Sequence, residues 1–289
     1  MPEGHAIHRL AWAFRDLFVG QKLTACSPQG RFTHGAELIT DRVLDDAQAW
    51  GKHLFHYFGD DIVHTHLGLY GSWRFAGDAT FTSPHVIGAP RKKDDRAMPA
   101  TSNETFQIPP PRGQVRLRLV GSHGVADLTG PNQCRVITAL EQRQIRDRLG
   151  PDPLRTDADA QRFIDAARAS RRPIGQLVMD QAIIAGAGNI YRAECLFRVG
   201  IHPWRPGARV ATHRLQQLWD DLVETMGEGL KTGRIDTIRT EDVPAGSTVK
   251  ETRWYVYHRD GLPCFRCGAQ VVVEQMAGRK LYRCPGCQR

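Results

Sequence analysis

Apolar residues recur at Ile7, Leu10, Ala11, Phe14, Leu17 and Phe18. This i, i+3, i+4, i+7 spacing predicts an amphipathic helix over 5–18, which Gly20 ends. Beyond it the period shortens. Leu23–Cys26, Val43–Leu44, Leu54–Phe58, Ile62–His66, Gly71–Phe75, Val115–Val120, Val125–Leu128 and Cys134–Ile137 are short β-like runs with turn residues between them. So many short strands behind one helix predict a two-sheet β-sandwich or flattened barrel. From Ala76 to Gly113 the composition shifts to Ser, Thr, Pro, Lys and Asp, including Arg91-Lys92-Lys93 and Pro109-Pro110-Pro111. That stretch reads as a long surface excursion, the basic triplet as solvated loop.

The second half is patterned as helices. Glu141–Arg148 is helical in pattern, and Leu149-Gly150-Pro151-Asp152-Pro153-Leu154 is a Gly/Pro-rich break that marks a domain boundary. Residues 159–169 and 174–181, a stretch running through Ala193, Leu196 and Phe197, and 211–230 follow with helical periodicity. Lys231–Lys250 is a polar linker rich in Thr, Gly and Asp. The expected architecture is α+β: a β-sandwich domain (1–138), a helical domain (139–250) and a C-terminal β-hairpin finger (251–289).

Charge and cysteine usage narrow the class. The 289 residues carry a formal charge of +8 and a sequence pI of about 9.3, which favours an anionic partner, with nucleic acid first. No run approaches about eighteen apolar residues, the length of a membrane-spanning helix, and the start lacks a basic-then-apolar signal pattern. A cytoplasmic location and no membrane partner are expected. Four of the seven cysteines form two Cys-x-x-Cys pairs, Cys264/Cys267 and Cys284/Cys287. Four thiolates at that spacing are the ligand set of one structural Zn²⁺, which folds its module and does no chemistry. The spacer reads as a hairpin, Gln270–Glu274 out, Gln275–Gly278 turning and Arg279–Arg283 back.

Other residues offer chemistry, each beside a plainer alternative. Removal of Met1 would leave Pro2 with a secondary α-amine, nucleophilic near neutral pH, and Glu3 beside it to move protons; many chains begin Met-Pro and make no use of it. Lys52, at the head of an apolar strand, is either a solvated cap or a phosphate anchor and base. In His66-Leu67-Gly68-Leu69-Tyr70-Gly71 the glycines allow a tight loop to push Leu69 and Tyr70 outward as a wedge; a buried turn leucine is the simpler reading. Ala185-Gly186-Ala187-Gly188-Asn189-Ile190-Tyr191 opens a helix and is either a tight turn or a phosphate cradle of backbone amides. Arg279, at the hairpin tip, is placed to grip a phosphate.

Met1-Pro2-Glu3-Gly4, Gly51-Lys52, His66–Gly71, Leu149-Gly150-Pro151-Asp152, Gly188-Asn189-Ile190-Tyr191 and the four-cysteine finger stand in one order. In that order they resemble the formamidopyrimidine-DNA glycosylase/endonuclease VIII family of bifunctional base-excision repair enzymes, over nearly the whole chain. His258–Cys264, Tyr282–Gln288 and the Leu69-Tyr70 wedge are similar to the endonuclease VIII branch, which favours oxidised pyrimidines.

The resemblance implies a helix–two-turn–helix in the second domain. It implies that Pro2 attacks C1′ of the damaged nucleoside and forms a Schiff base, that Glu3 handles protons at the sugar, and that Lys52 contacts the neighbouring phosphate. Leu69 and Tyr70 then plug the gap left by the flipped nucleotide, and Asn189 and Arg279 bind the backbone. β-Elimination or β,δ-elimination follows. Damaged DNA, duplex or single-stranded, is the expected partner of a monomer in the bacterial cytoplasm, associated with the nucleoid.

Two departures from the family pattern matter. Branch members usually carry a second glutamate in Pro-Glu-Gly-Pro-Glu, where this chain has His5-Ala6. Asp152 or solvent must replace it, or glycosylase activity is weak while abasic-site cleavage survives. Gly130-Pro131-Asn132-Gln133 replaces the void-filling loop of the formamidopyrimidine branch. A lesion-binding protein that has lost catalysis is the remaining alternative.

Overall fold

A computed structural model describes residues 2–81, 86–88, 107–243, 246 and 252–289. These fall into two compact units, Met1–Asp147 and Arg148–Arg289.

The first unit opens with α1 (Gly4–Phe18), followed by β1 (Lys22–Cys26), α2 (Thr33–Ile39), β2 (Arg42–Val43), β3 (Asp46–Trp50), β4 (His53–Phe58), β5 (Asp61–His66), β6 (Ser72–Gly77) and β7 (Val86–Gly88). It continues through β8 (Val115–Val120), β9 (Gly124–Thr129), β10 (Gln133–Ile137) and α3 (Ala139–Asp147). Six strands form one antiparallel sheet in the order β2-β1-β8-β9-β6-β7, and four form a second in the order β10-β5-β4-β3. The expected sandwich is therefore present. Its core joins the α1 stripe of Ile7, Leu10, Phe14 and Phe18 to inner-face residues of both sheets, among them Trp73, Leu117, Leu128, Leu54 and Val63.

Besides β7, two elements of this unit have no counterpart in the sequence reading. The first, β3, reads Asp-Ala-Gln-Ala-Trp and lacks β-branched residues. Ala47 and Ala49 are buried there, and their small side chains let α1 pack directly on the strand. The second, α2, is a seven-residue helix too short to show a period. Within the 76–113 excursion, β7 pairs with β6; Arg91-Lys92-Lys93 lies outside the described residues. The helix expected from Glu141 begins at Ala139 and lies in the first unit, which ends at Asp147.

The second unit contains α4 (Ala160–Arg168), α5 (Ile174–Leu177), α6 (Asn189–Arg198) and α7 (Thr212–Thr232), then a hairpin of β11 (Val272–Met276) and β12 (Arg279–Arg283). The expected 174–181 helix stops at Leu177, because the chain turns there and Asp180 caps the turn by accepting from Ala182 N. The hairpin differs as well. Its turn is only Ala277-Gly278, both with positive φ (50° and 71°), the two-residue form whose twist matches that of the strands. Phe163, Leu177, Tyr191, Leu196, Leu218 and Met226 form the helical core. A further cluster of Ala193, Phe197, Tyr255, Val271 and Tyr282 fastens the hairpin to α6. Among the described residues, no helix is long and apolar enough to cross a membrane.

Candidate active site and metal centre

Helix direction brings the first set of site residues together. Near the C-terminal end of α1, Arg15 bonds Asp46 at the start of β3 (2.8 Å). Phe14 packs on Trp73 and Phe75, and Phe18 on Phe81 beyond the end of β6. The helix therefore runs back along β6 towards Ser72. Its N-terminus, Pro2-Glu3-Gly4, lies at the end of the sandwich that carries the 51–52 turn and the 67–71 loop.

Pro2 and Glu3 are both buried. Glu3 is the N-cap of α1, and its carbonyl accepts from Ala6 N at 2.9 Å. A carboxylate there sits at the positive end of the helix dipole. Ala6 belongs to the core, so the position of the missing second glutamate is filled by packed methyl rather than by solvent. Lys52 is the second residue of a two-residue turn closed by the pair Trp50↔His53. Gly51 takes the first position with φ 57°, the glycine-first turn of tight hairpins.

The 67–71 loop is built as a projection. Leu67 is buried and anchors it, while Leu69 and Tyr70 are 48% and 77% exposed. Gly71 N donates to Leu67 O at 2.9 Å, and a Cβ on Gly71 would meet that oxygen at 2.4 Å. Below the loop, Asn132 N donates to His66 O, and Gly68 (φ 63°) rests against the Asn132 side chain. The 130–133 segment is thus a buttress for the projecting pair.

In the second unit Asn189 is the first residue of α6. Its amide Nδ2 donates to Lys280 O at 3.0 Å, next to Arg279 at the exposed hairpin tip. Arg192, almost wholly buried, donates to the same carbonyl at 2.8 Å and to Asn189 Oδ1. Of the amides expected to cradle a phosphate, Gly186 N already donates to Gln181 Oε1, so that part of the cradle serves the turn itself. Asp152 is buried and accepts from Leu154 N, capping its own turn.

Sequence reasoning missed Arg192 and also Glu194. The fully buried Glu194 carboxylate accepts from the backbone amides of Tyr255, Val256 and Tyr257 and from the Thr237 hydroxyl. Burial raises its pKa against the pull of these bonds. Its place two residues before Leu196 in the α6 pattern would have been the only signal.

The four cysteines converge. All four Sγ atoms lie within 4.8 Å of one another, with Cys264 to Cys287 at 3.8 Å and Cys267 to Cys284 at 3.4 Å. Four sulfurs about 2.3 Å from a tetrahedral centre stand about 3.8 Å apart, so the set fits one ion. Gly286 leaves the room: a Cβ there would come within 2.7 Å of Cys267 Sγ.

The matches to known proteins follow the same layout. The formamidopyrimidine-DNA glycosylase N-terminal domain matches residues 1–126, and the formamidopyrimidine-DNA glycosylase H2TH domain matches 149–241. A crystal structure of Lactococcus lactis Fpg with DNA containing an abasic site superposes with a TM-score of 0.74 at 22% identity, covering 99% of each chain. The fold and the matched domains define a protein of the DNA-glycosylase class.

Two Mycobacterium tuberculosis proteins are similar along the whole of both chains: Endonuclease 8 1 at 43% identity and Endonuclease 8 2 at 32%. The chain belongs to the formamidopyrimidine-DNA glycosylase/endonuclease VIII family of DNA-repair enzymes, on the endonuclease VIII branch.

Proposed function

We propose that this chain is a bifunctional glycosylase and abasic-site lyase that excises oxidised bases, pyrimidines preferred, from damaged DNA. The observation that carries this reading is the gathering of Pro2-Glu3, Lys52 and the projecting Leu69-Tyr70 at one end of the first unit. Leu69 and Tyr70 enter the stack where the damaged nucleotide has rotated out. Once Met1 is removed, the Pro2 nitrogen attacks C1′. The base leaves with the glycosidic electron pair and a proton, and Glu3 relays protons at the opening sugar. The resulting iminium acidifies the C2′ proton; its loss expels the 3′ phosphate in β-elimination, and a second elimination can expel the 5′ phosphate. Water then returns the free amine. Lys52 neutralises the phosphate beside the lesion, and Asn189 and Arg279 hold the backbone.

The four cysteines are the site of one structural Zn²⁺, which would hold the hairpin and its Arg279 in shape and take no part in bond breaking. A working division of 1–138, 139–250 and 251–289 separates catalysis, backbone binding and finger. The chain acts as a monomer on duplex or single-stranded DNA in the bacterial cytoplasm, at the nucleoid.

The test is borohydride trapping on DNA bearing an abasic site, beside an incision panel of oxidised bases. Mature protein should give a covalent adduct, weakened in Pro2→Gly. A protein with Pro2 at its terminus that forms no adduct would refute the reading. The buried Ala6 favours a second reading, in which the enzyme opens abasic sites and removes intact bases poorly. Cleavage of the abasic control with no incision on the lesion panel would establish it.

A further inference from the structure

Three histidines occupy one face of the four-stranded sheet, on the rungs nearest the site. His53 pairs across with His66, and Phe55 with His64. The His53 ring stands 5.1 Å from that of His64 and 5.0 Å from that of His66, and the His64 ring stacks on Phe55 at 5.0 Å. His53 Nδ1 lies 2.9 Å from His64 Nε2.

The hydrogen bonds assign the protons. His64 is buried and its Nδ1 has no hydrogen-bond partner. An orphaned buried N–H is rarer than a bare lone pair, so the proton sits on Nε2 and is donated to His53 Nδ1. His66 Nδ1 accepts from Gly68 N at 3.2 Å, which fixes that ring as well and ties it to the loop.

The rung Trp50–His53–His66 is the common root of two functional pieces. The turn holding Lys52 leaves it between Trp50 and His53, and the loop holding Leu69 and Tyr70 leaves it after His66. Arg146 lies over the Trp50 ring, 4.2 Å from its centroid, and steadies the outer end.

Resting on the function proposed above, we propose that His53, seated on His64, is a positioning residue that sets Lys52 and the 67–71 loop relative to one another. The row is uncharged at neutral pH. Burial holds His53 near pKa 4 and His64 near 3, with the Lys52 charge adding to the shift of His53 and His66 and the Arg135 charge to that of His64. Neutral imidazoles keep the donor–acceptor order intact beside a lysine that must meet a phosphate.

The test compares His53→Leu, which removes the acceptor, with His53→Gln, whose amide oxygen restores one. Wedge entry is read from an aminopurine fluorophore beside a non-cleavable abasic analogue, and cleavage from single turnovers on abasic DNA. His53→Leu should slow both about tenfold, the order of one lost hydrogen bond. Affinity for undamaged duplex should stay within about twofold, with the melting temperature within a few degrees. His53→Gln should recover most of both rates. Wild-type rates in His53→Leu, or a His53→Gln no better than Leu, overturn the inference. Should His53→Leu fail to fold, His64→Phe keeps the packing, removes the donor and must show the same two losses. Wild-type protein that neither inserts nor cleaves overturns the proposed function, and this inference with it.

Discussion

Asn189 at the start of α6 donates its side-chain amide to the carbonyl of Lys280 in the hairpin, 3.0 Å away. The buried Arg192 guanidinium donates to that carbonyl and to Asn189 Oδ1. Helix start and hairpin tip are therefore one assembly, and loss of either partner disturbs both.

Arg192→Met should accordingly do more than remove a charge. It removes two hydrogen bonds from a charged donor, leaving the Lys280 carbonyl with Asn189 Nδ2 alone, at about 1–3 kcal/mol in all for bonds at a part-exposed site. Expected are a lower urea midpoint and weaker DNA binding with an unchanged borohydride adduct at saturating DNA. Unaltered affinity would show that the hairpin tip does not depend on this contact.

Gly71→Ala tests the projecting loop. The new Cβ would strike the Leu67 backbone, with its oxygen at 2.4 Å and Cα at 2.7 Å. Neither can yield as a flexible side chain would, so a cost of about 1–3 kcal/mol is expected. Cleavage of abasic DNA should fall with the wedge signal. A loop that tolerates alanine in both assays would mean that Leu67 and Gly71 do not set its shape.

Acid should weaken the first unit. Burial lowers His5 and His53 to about 4 and His56 and His64 to about 3. Unfolded, each titrates near 6.5. Above about pH 6.5 both states are neutral and stability is full; below it the unfolded chain binds protons that the folded chain refuses. The loss approaches about 1.4 kcal/mol per pH unit for each such histidine. His56→Phe, inside a ring cluster with Phe14 and Trp73, should flatten the urea-derived stability slope between pH 6 and 5 by about one proton. An unchanged slope would show that His56 is not held neutral.

Metal removal should act locally. A chelator that strips the four cysteines should loosen the 264–287 finger, because the thiolates tie its two ends together, while the cluster around Phe197 and Tyr255, the Glu194 bonds and the Asn189 and Arg192 bonds to Lys280 O are among the contacts that remain. Trp254 fluorescence should change and DNA affinity should fall at least tenfold, about 1.4 kcal/mol. The melting of the sandwich unit should stay in place. A DNA affinity unmoved by chelation would separate the finger from binding.

Periodicity alone was enough to find α1, most strands and the long α7, because an apolar stripe or alternation is written in consecutive residues. The Cys-x-x-Cys pairs likewise announced four converging thiolates, a group that could hold a metal ion. By contrast, the alanine strand β3 carries no such mark: its small residues make sense only with α1 lying on them. Arg192 reads as an ordinary helical arginine until Lys280, far along the chain, supplies its acceptor.

The histidine row shows where the division falls. The order of residues determined that His53 follows Lys52 and that His66 precedes the loop. Only the pairing register between β4 and β5 decided that these histidines share a rung, because a slip of one residue would turn either one to the opposite face. Cross-strand neighbours and burial are set by the whole sheet at once, so no local stretch of sequence contains them.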